Sequence, residues 1–278
     1  DQGIVGTGQI VALLDGQIDK DEAWFTYLRG ADGSEPAAVI TPFSAIEAAE
    51  DNQPLAVGSL QRANKLIGHW GASGASYKPH YHGTHVAGII AGDLSGEYGD
   101  SLYAASSASQ PEHDRADGNA PNVQLLGQDL NFLDYGYPYQ KLLDQAYVAG
   151  ARVHNNSWGG VIGAYGKSSR ALDISTYRND LLVIKSAGNS GADDPDPSTK
   201  HRNLCPTDAD WRGSRCWNSV TDPGAAKNSL TVAATKHGSS TEIDYYSSRG
   251  TLDGRFKPDI AAPGTDVISA GCDHEDPE

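Results

Sequence analysis

The chain has 278 residues, enough for one large domain or two small ones with a sizeable core. Its 36 acidic and 21 basic side chains give a net charge of −15, which sets nucleic acid and anionic membrane surfaces aside as partners by simple repulsion. No apolar run approaches the ~18 residues of a membrane helix, so no membrane span is expected.

The first element signal is GQIVALLDGQID, where an apolar run at residues 10–14 stops at Asp15-Gly16. It predicts a buried strand that delivers an acidic side chain at its C-terminal end. THVAGIIAG, residues 84–92, is small and apolar on every side, which suits a buried helix packed closely under a sheet. NVQLLGQDL (122–130) predicts another strand, and YQKLLDQAYVAGA (139–151) carries apolar residues at helical spacing before a glycine stop. RVHNNSWGG and DLLVIKSAGNSG read as strands ending in glycine turns, with a helix over RALDISTYRND (170–180) between them. NSLTVAAT and KPDIAAPG add two short strands. Strands that alternate with helices and end in polar residues and glycine predict an α/β fold, with a mostly parallel central sheet, helices on both faces and a site along the carboxyl edge. Residues 20–79 and 93–118 fit this rhythm poorly and are read as surface insertions in a single domain spanning 1–278.

Three histidines, His80, His82 and His85, form an H-x-H-x-x-H pattern that invites a metal-dependent hydrolase, since neutral imidazoles at such spacing converge on one ion. The spacing resembles the zinc motif of the metallo-β-lactamase fold, but Thr84 stands where that motif has an acidic residue. The plain alternative is that His82 and His85 cap a buried helix. Cys205 and Cys216 bracket CPTDADWRGSRC and read as a local disulfide in an oxidising compartment, which assigns Cys272 a partner downstream. The sequence contains no methionine, even at position 1, so cleavage or cropping is expected to have made its N-terminus.

VALLDGQID, HGTHVAG, GNAP, NNSWGG, SAGNSG, LTVAAT, YYSSRG and KPDIAAPGT occur in the order of the subtilisin-like serine proteases, and over almost its whole length the chain resembles that family. GARVHNNSWGG and SSRGTLDGRFKPDIAAPGT are most similar to its oxidatively stable alkaline branch, which carries a β-sandwich domain after the catalytic one. The resemblance implies a serine endopeptidase acting on protein or peptide substrates, with no cofactor for catalysis. Asp15 would orient the imidazole, and His82 would be general base and then general acid. The Asn189 side chain would donate to the oxyanion. Backbone at Ser157, Trp158 and Gly159 would pair with the extended substrate and form one wall of the primary pocket, with Ala187 and Gly188 as the other.

Two features depart from the family pattern. The hydroxyl residue and glycine that usually follow the aspartate are replaced by Gly16 and Gln17, which reads either as drift in a scaffold loop or as a degenerate triad. The Gly-Thr-Ser segment that carries the nucleophile does not occur after Thr265. Ser157, Ser186, Ser247 and Ser248 all belong to other family segments, so the serine is expected beyond residue 278 or on another chain, with the C-terminal remainder as a second polypeptide. Structural Ca²⁺ is a family-level expectation, and DLSGEYGD (93–100) and GADDPDPS (191–198) gather oxygen ligands of the kind it takes. The aromatic residues of LNFLDYGYPY (130–139) would either favour apolar substrate side chains or pack their own loop. A secreted, periplasmic or cell-surface location follows, and a non-catalytic binding module derived from a protease is the rival class.

Overall fold

In the computed structural model of the chain, the apolar run that opens the sequence forms strand β1 (Ile10–Asp15), buried from Ala12 onward and ending on Asp15. The structure describes residues 6–20, 22–25, 40–42, 65–71, 78–92, 118–134, 136–160, 162, 164–191, 217–236 and 242–272. After β1 come a 3-10 turn (Ala23–Phe25), β2 (Ile40–Pro42), β3 (Leu66–Gly71), α1 (Tyr81–Ala91), β4 (Gln124–Asp129) and α2 (Asn131–Asp134). Then follow α3 (Tyr139–Val148), β5 (Val153–Asn156), α4 (Lys167–Arg178), β6 (Leu182–Ser186), β7 (Leu230–Thr235) and β8 (Ile260–Pro263). They fall into two compact units, Asp1–His154 with Ile268–Glu278, and Asn155–Val267.

In the first unit the strand order is β2-β3-β4-β1, with the start of β5 next to β1. The pairs β2–β3, β3–β4 and β1–β4 are parallel, and the last of these sets Asp15 directly opposite Asp129. Side chains alternate across the sheet. Leu13 and Leu125 face α1 and form a buried cluster with Ile18, Phe25, Leu66, Ala87, Ala91, Val123 and Ala270. Gln128, out of phase with Leu125, donates to the backbone oxygen of Leu142 in α3. Helices therefore cover both faces of this part of the sheet, as the alternating pattern predicts.

The small residues of α1 are there for contact. A Cβ on Gly88 would lie 2.2 Å from Ser269 Oγ and 2.9 Å from Ala270 Cβ, so the returning segment packs directly on the helix backbone. Ser269 Oγ also donates to His85 O at 2.8 Å. Each large aliphatic residue of the cluster contributes about 1.5–3 kcal/mol by leaving water, and the glycine and alanine positions let the elements approach closely enough to close it.

In the second unit β5 continues beside β6, followed by β7 and β8, and the β6–β7 and β7–β8 pairs are parallel. Helix α4 packs against β6 and buries Ser169, Leu172 and Ser175. β8, last in the order, is exposed along most of its length.

The structure adds strands where the sequence pattern shows none. β2 and β3 both lie within residues 20–79, and β3 is buried at every position. Its sequence, LIGHWG, contains two glycines and a histidine and lacks strand alternation, which hides it from a periodicity reading. Residues 93–117 lie outside the described residues.

Candidate active site

The carboxyl ends of β1 and β4 and the N-terminus of α1 meet at Asp15. Two glycines permit the approach. A Cβ on Gly83, in the first turn of α1, would lie 2.0 Å from Gly16 O, and a Cβ on Gly16 would lie 2.7 Å from His80 Cβ. The helix therefore starts against the backbone of Gly16, and His82 Nδ1 comes 2.6 Å from Asp15 Oδ1. Asp15 Oδ1 also accepts the Gly16 N–H at 2.8 Å. The Asp15 side chain is 4% exposed and that of His82 45%, so a buried carboxylate holds a ring that still reaches solvent. The Asp15 hydrogen bond raises the His82 pKa above its ordinary value, burial opposes the rise, and the carboxylate charge adds to it. With Nδ1 engaged, Nε2 is the nitrogen available for proton exchange.

The Gly16-Gln17 departure has a structural explanation. The His80 ring occupies the space a side chain at position 16 would take. His80 Nδ1 also accepts the His82 N–H at 3.2 Å and so caps α1. Gln17 is 3% exposed. Its Nε2 donates to Asp129 Oδ2 at 2.6 Å, its Oε1 accepts the Lys78 N–H at 2.6 Å, and its carbonyl accepts the His80 N–H at 2.7 Å. Two residues further on, Asp19 N–H donates to Thr84 Oγ1, which in turn donates to His80 O, both at 3.0 Å. Reading the sequence alone misses Gln17 and Asp129 as a pair, because they stand 112 positions apart.

The histidine motif does not assemble a three-ligand metal centre. The Nδ1 atoms of His80 and His82 are committed to the helix cap and to Asp15. Among the described residues no group of three or more His, Cys, Asp or Glu is placed to hold one ion. The metal-hydrolase reading built on His80, His82 and His85 is corrected accordingly.

The second unit carries Asn189 and the residues expected to line a pocket. β5 runs into Ser157, Trp158 and Gly159, while β6 runs into Ala187, Gly188 and the exposed Asn189. Thr221 stands between the two segments. A Cβ on Gly159 would lie 2.2 Å from its Oγ1, and one on Gly188, where φ is +106°, would lie 2.8 Å from its Cγ2. Thr221 N–H also donates to Ala187 O at 3.0 Å. Thr221 was not legible in the sequence, since its segment carries no motif. Ser248 accepts the Ser190 N–H on Oγ and donates its own N–H to Gly188 O, both at 2.9 Å, which holds the Asn189 loop.

The serines weighed as substitutes for a nucleophile are each engaged. Ser157 Oγ accepts from Asn155 Nδ2, Ser186 Oγ from Lys185 Nζ, Ser247 Oγ from Ala234 N–H and Ser248 Oγ from Ser190 N–H. Phe132, Tyr137 and Tyr139 are buried, with the Phe132 and Tyr137 rings 5.3 Å apart, so these aromatic residues pack their own loop. Cys205, Cys216 and the acidic runs 93–100 and 192–198 lie outside the described residues.

Comparison with known proteins bears on this geometry. The model of the Subtilase family matches residues 6–277. C5a peptidase of Streptococcus pyogenes serotype M3 is 28% identical over 239 residues, 82% of this chain and 18% of that protein. The Serine protease/ABC transporter B family protein tagD of Dictyostelium discoideum is 26% identical over 194 residues, 66% of this chain and 9% of that protein. The chain thus spans less than a fifth of the length of these curated relatives. Among solved structures, Sphericase has a TM-score of 0.53 at 19% identity, over 96% of this chain and 69% of that one. S41 Psychrophilic Protease has 0.52 at 18%, over 95% and 68%. At such identities the likeness speaks for the fold, and the family match covers nearly every residue: the chain belongs to the subtilase family.

Proposed function

We propose that this chain carries the acid–base half of the active site of a serine endopeptidase, with Asp15 and His82 as two members of the triad and the serine supplied from outside these 278 residues. The observation that carries the reading is the 2.6 Å contact between a buried Asp15 carboxylate and a half-exposed His82 ring. His82 Nε2 takes the proton of the serine hydroxyl as that oxygen attacks the scissile carbonyl, then delivers it to the leaving amine. Asp15 keeps the proton-bearing Nδ1 turned inward and stabilises the imidazolium formed in between; the raised His82 pKa expresses the same preference. The Asn189 amide donates to the oxyanion, and a donor of this kind contributes about 10²–10³ in turnover. Ser157 to Gly159 and Ala187 to Gly188 bound the pocket for the side chain preceding the cut, and Thr221 floors it.

Further parts of this reading are a protein or peptide substrate, a secreted, periplasmic or cell-surface location, and structural Ca²⁺. The test is labelling of the full-length protein by a serine-directed fluorophosphonate, followed by intact mass and peptide mapping. One adduct on a serine outside residues 1–278, abolished in His82→Ala, is the expected result. A full-length protein that neither takes the label nor cleaves any peptide in a library would be a binding module. Activity that persists in His82→Ala, or that survives without any label attaching, would overturn the serine reading.

A further inference from the structure

We infer that Gln17, latched to Asp129, is a positioning residue for His82, setting the distance between α1 and the end of β1 in place of the glycine the family has there. The inference rests on reading Asp15 and His82 as a catalytic pair. Gln17 follows Gly16 directly and lies in the gap between strand and helix. Its side chain reaches β4 through Asp129, and its Oε1 and carbonyl hold Lys78 and His80, the residues that lead into α1. One residue therefore ties the end of the central strand pair to the chain two positions ahead of His82.

The chemistry of this latch is specific to an amide. Oε1 must accept a backbone N–H while Nε2 donates to a carboxylate, a pairing that the side-chain amides of asparagine and glutamine offer on one planar group and that neither an ionised carboxylate nor an ammonium supplies. Asparagine is a methylene shorter. Asp129 is as firmly set as Gln17: it is 1% exposed, opposes Asp15 in register, and its Oδ1 accepts the Asn131 N–H at 3.0 Å. Gly71, at the end of β3, leaves the volume the pair fills; a Cβ there would lie 2.8 Å from Asp129 Cβ and 3.1 Å from Gln17 Nε2. The charge-assisted bond is thus enclosed by the ends of three strands, where water does not compete with it.

A merely packed residue and a positioning residue part company on a polarity swap. In the full-length protein, Gln17→Met keeps the volume and removes both side-chain bonds, and Gln17→Glu sets a carboxylate against Asp129. Gln17→Glu combined with Asp129→Asn reverses donor and acceptor and restores the pair. We expect kcat in Gln17→Met to fall about 100-fold with KM within twofold, the loss that about 1 Å of misplacement brings. The His82 imidazole titration, followed by NMR, should move toward that of an ordinary histidine. The swap should recover to within about tenfold of the parent in both readouts. Unchanged fluorophosphonate labelling and an unmoved His82 titration in Gln17→Met would overturn the inference. So would a swap that folds and remains as impaired as Gln17→Glu alone, and so would failure of the swap to fold. A parent protein that takes no label would retire the protease reading instead, and the His82 titration, which needs no turnover, would still judge the latch.

Discussion

The tightest test of how this site is built is a single methyl group, Gly83→Ala. The Cβ it adds would sit 2.0 Å from Gly16 O, against a 3.0 Å limit that real Cβ contacts essentially never cross. The obstacle is backbone at the end of a buried strand, so the N-terminus of α1 must back away by about 1 Å. That moves His82 Nδ1 from 2.6 Å to about 3.6 Å from Asp15 Oδ1, beyond a hydrogen bond. Two consequences follow together. The largest cause of the raised His82 pKa disappears, so its titration should drop, and kcat should fall about 100-fold for a displacement of that size. The assay is turnover of a fluorogenic peptide by the full-length protein across pH, alongside His82 titration by NMR and a thermal melt to confirm the fold. A folded Gly83→Ala protein with turnover within twofold of the parent and an unmoved His82 titration would refute the reasoning, because it would show that the strand–helix contact does not set the pair.

Asp15→Asn removes the carboxylate that favours imidazolium, so the acid limb of the pH–rate profile should shift to lower pH while kcat falls about 10⁴-fold; a limb that stays in place would separate Asp15 from the titrating base. His69 is buried in β3, accepts the Ile18 N–H on Nε2 and has its pKa lowered to about 4 by burial. The unfolded chain protonates His69 near 6.5 and the folded chain only near 4, so stability falls as pH drops through that window, by about 3 kcal/mol in all. His69→Gln should flatten that part of a denaturant-stability profile, and parallel profiles for parent and variant would count against it. Thr221→Ala should raise kcat/KM about tenfold for larger side chains at the position before the cut, measured with a peptide library; an unchanged profile would remove Thr221 from the pocket.

Much of the architecture was legible because local pattern and tertiary role coincide. The run at 10–14 became β1 with Asp15 at its end, and the helix at 139–151 stopped before Gly150, whose φ is +109°. Helix α1 was visible from its small residues, but its start at Tyr81 was set by the His80 cap, which apolar spacing does not signal. β3 escaped because a buried strand built from Gly68, His69 and Gly71 has neither alternation nor an aliphatic run. Within the site, Asp15 and His82 were identifiable from motif order. Gln17 read only as a lost glycine, because its importance comes from Asp129 on a neighbouring strand, and Thr221 likewise matters only through two glycines far from it in sequence.

The seating of His80 over Gly16 also bears on how such a sequence can change. Restoring the family's hydroxyl residue by Gly16→Ser would drive a Cβ to 2.7 Å from His80 Cβ and 2.8 Å from its Cγ. Shrinking His80 first would take away the ring nitrogen that caps the His82 N–H. Neither step is neutral alone, so positions 16 and 80 are coupled, and Gln17 extends the coupling to the Lys78 backbone N–H and to Asp129 through its own bonds. A change to the family's usual form at positions 16 and 17 is therefore no single substitution: it disturbs contacts on the segments that carry Gly16 and Gln17, His80, and Asp129. A motif search that demands a hydroxyl after the aspartate passes over this sequence, and an engineer moving this loop into another subtilase would have to carry Gly16, Gln17, His80 and Asp129 together, while any residue with a backbone N–H serves at position 78.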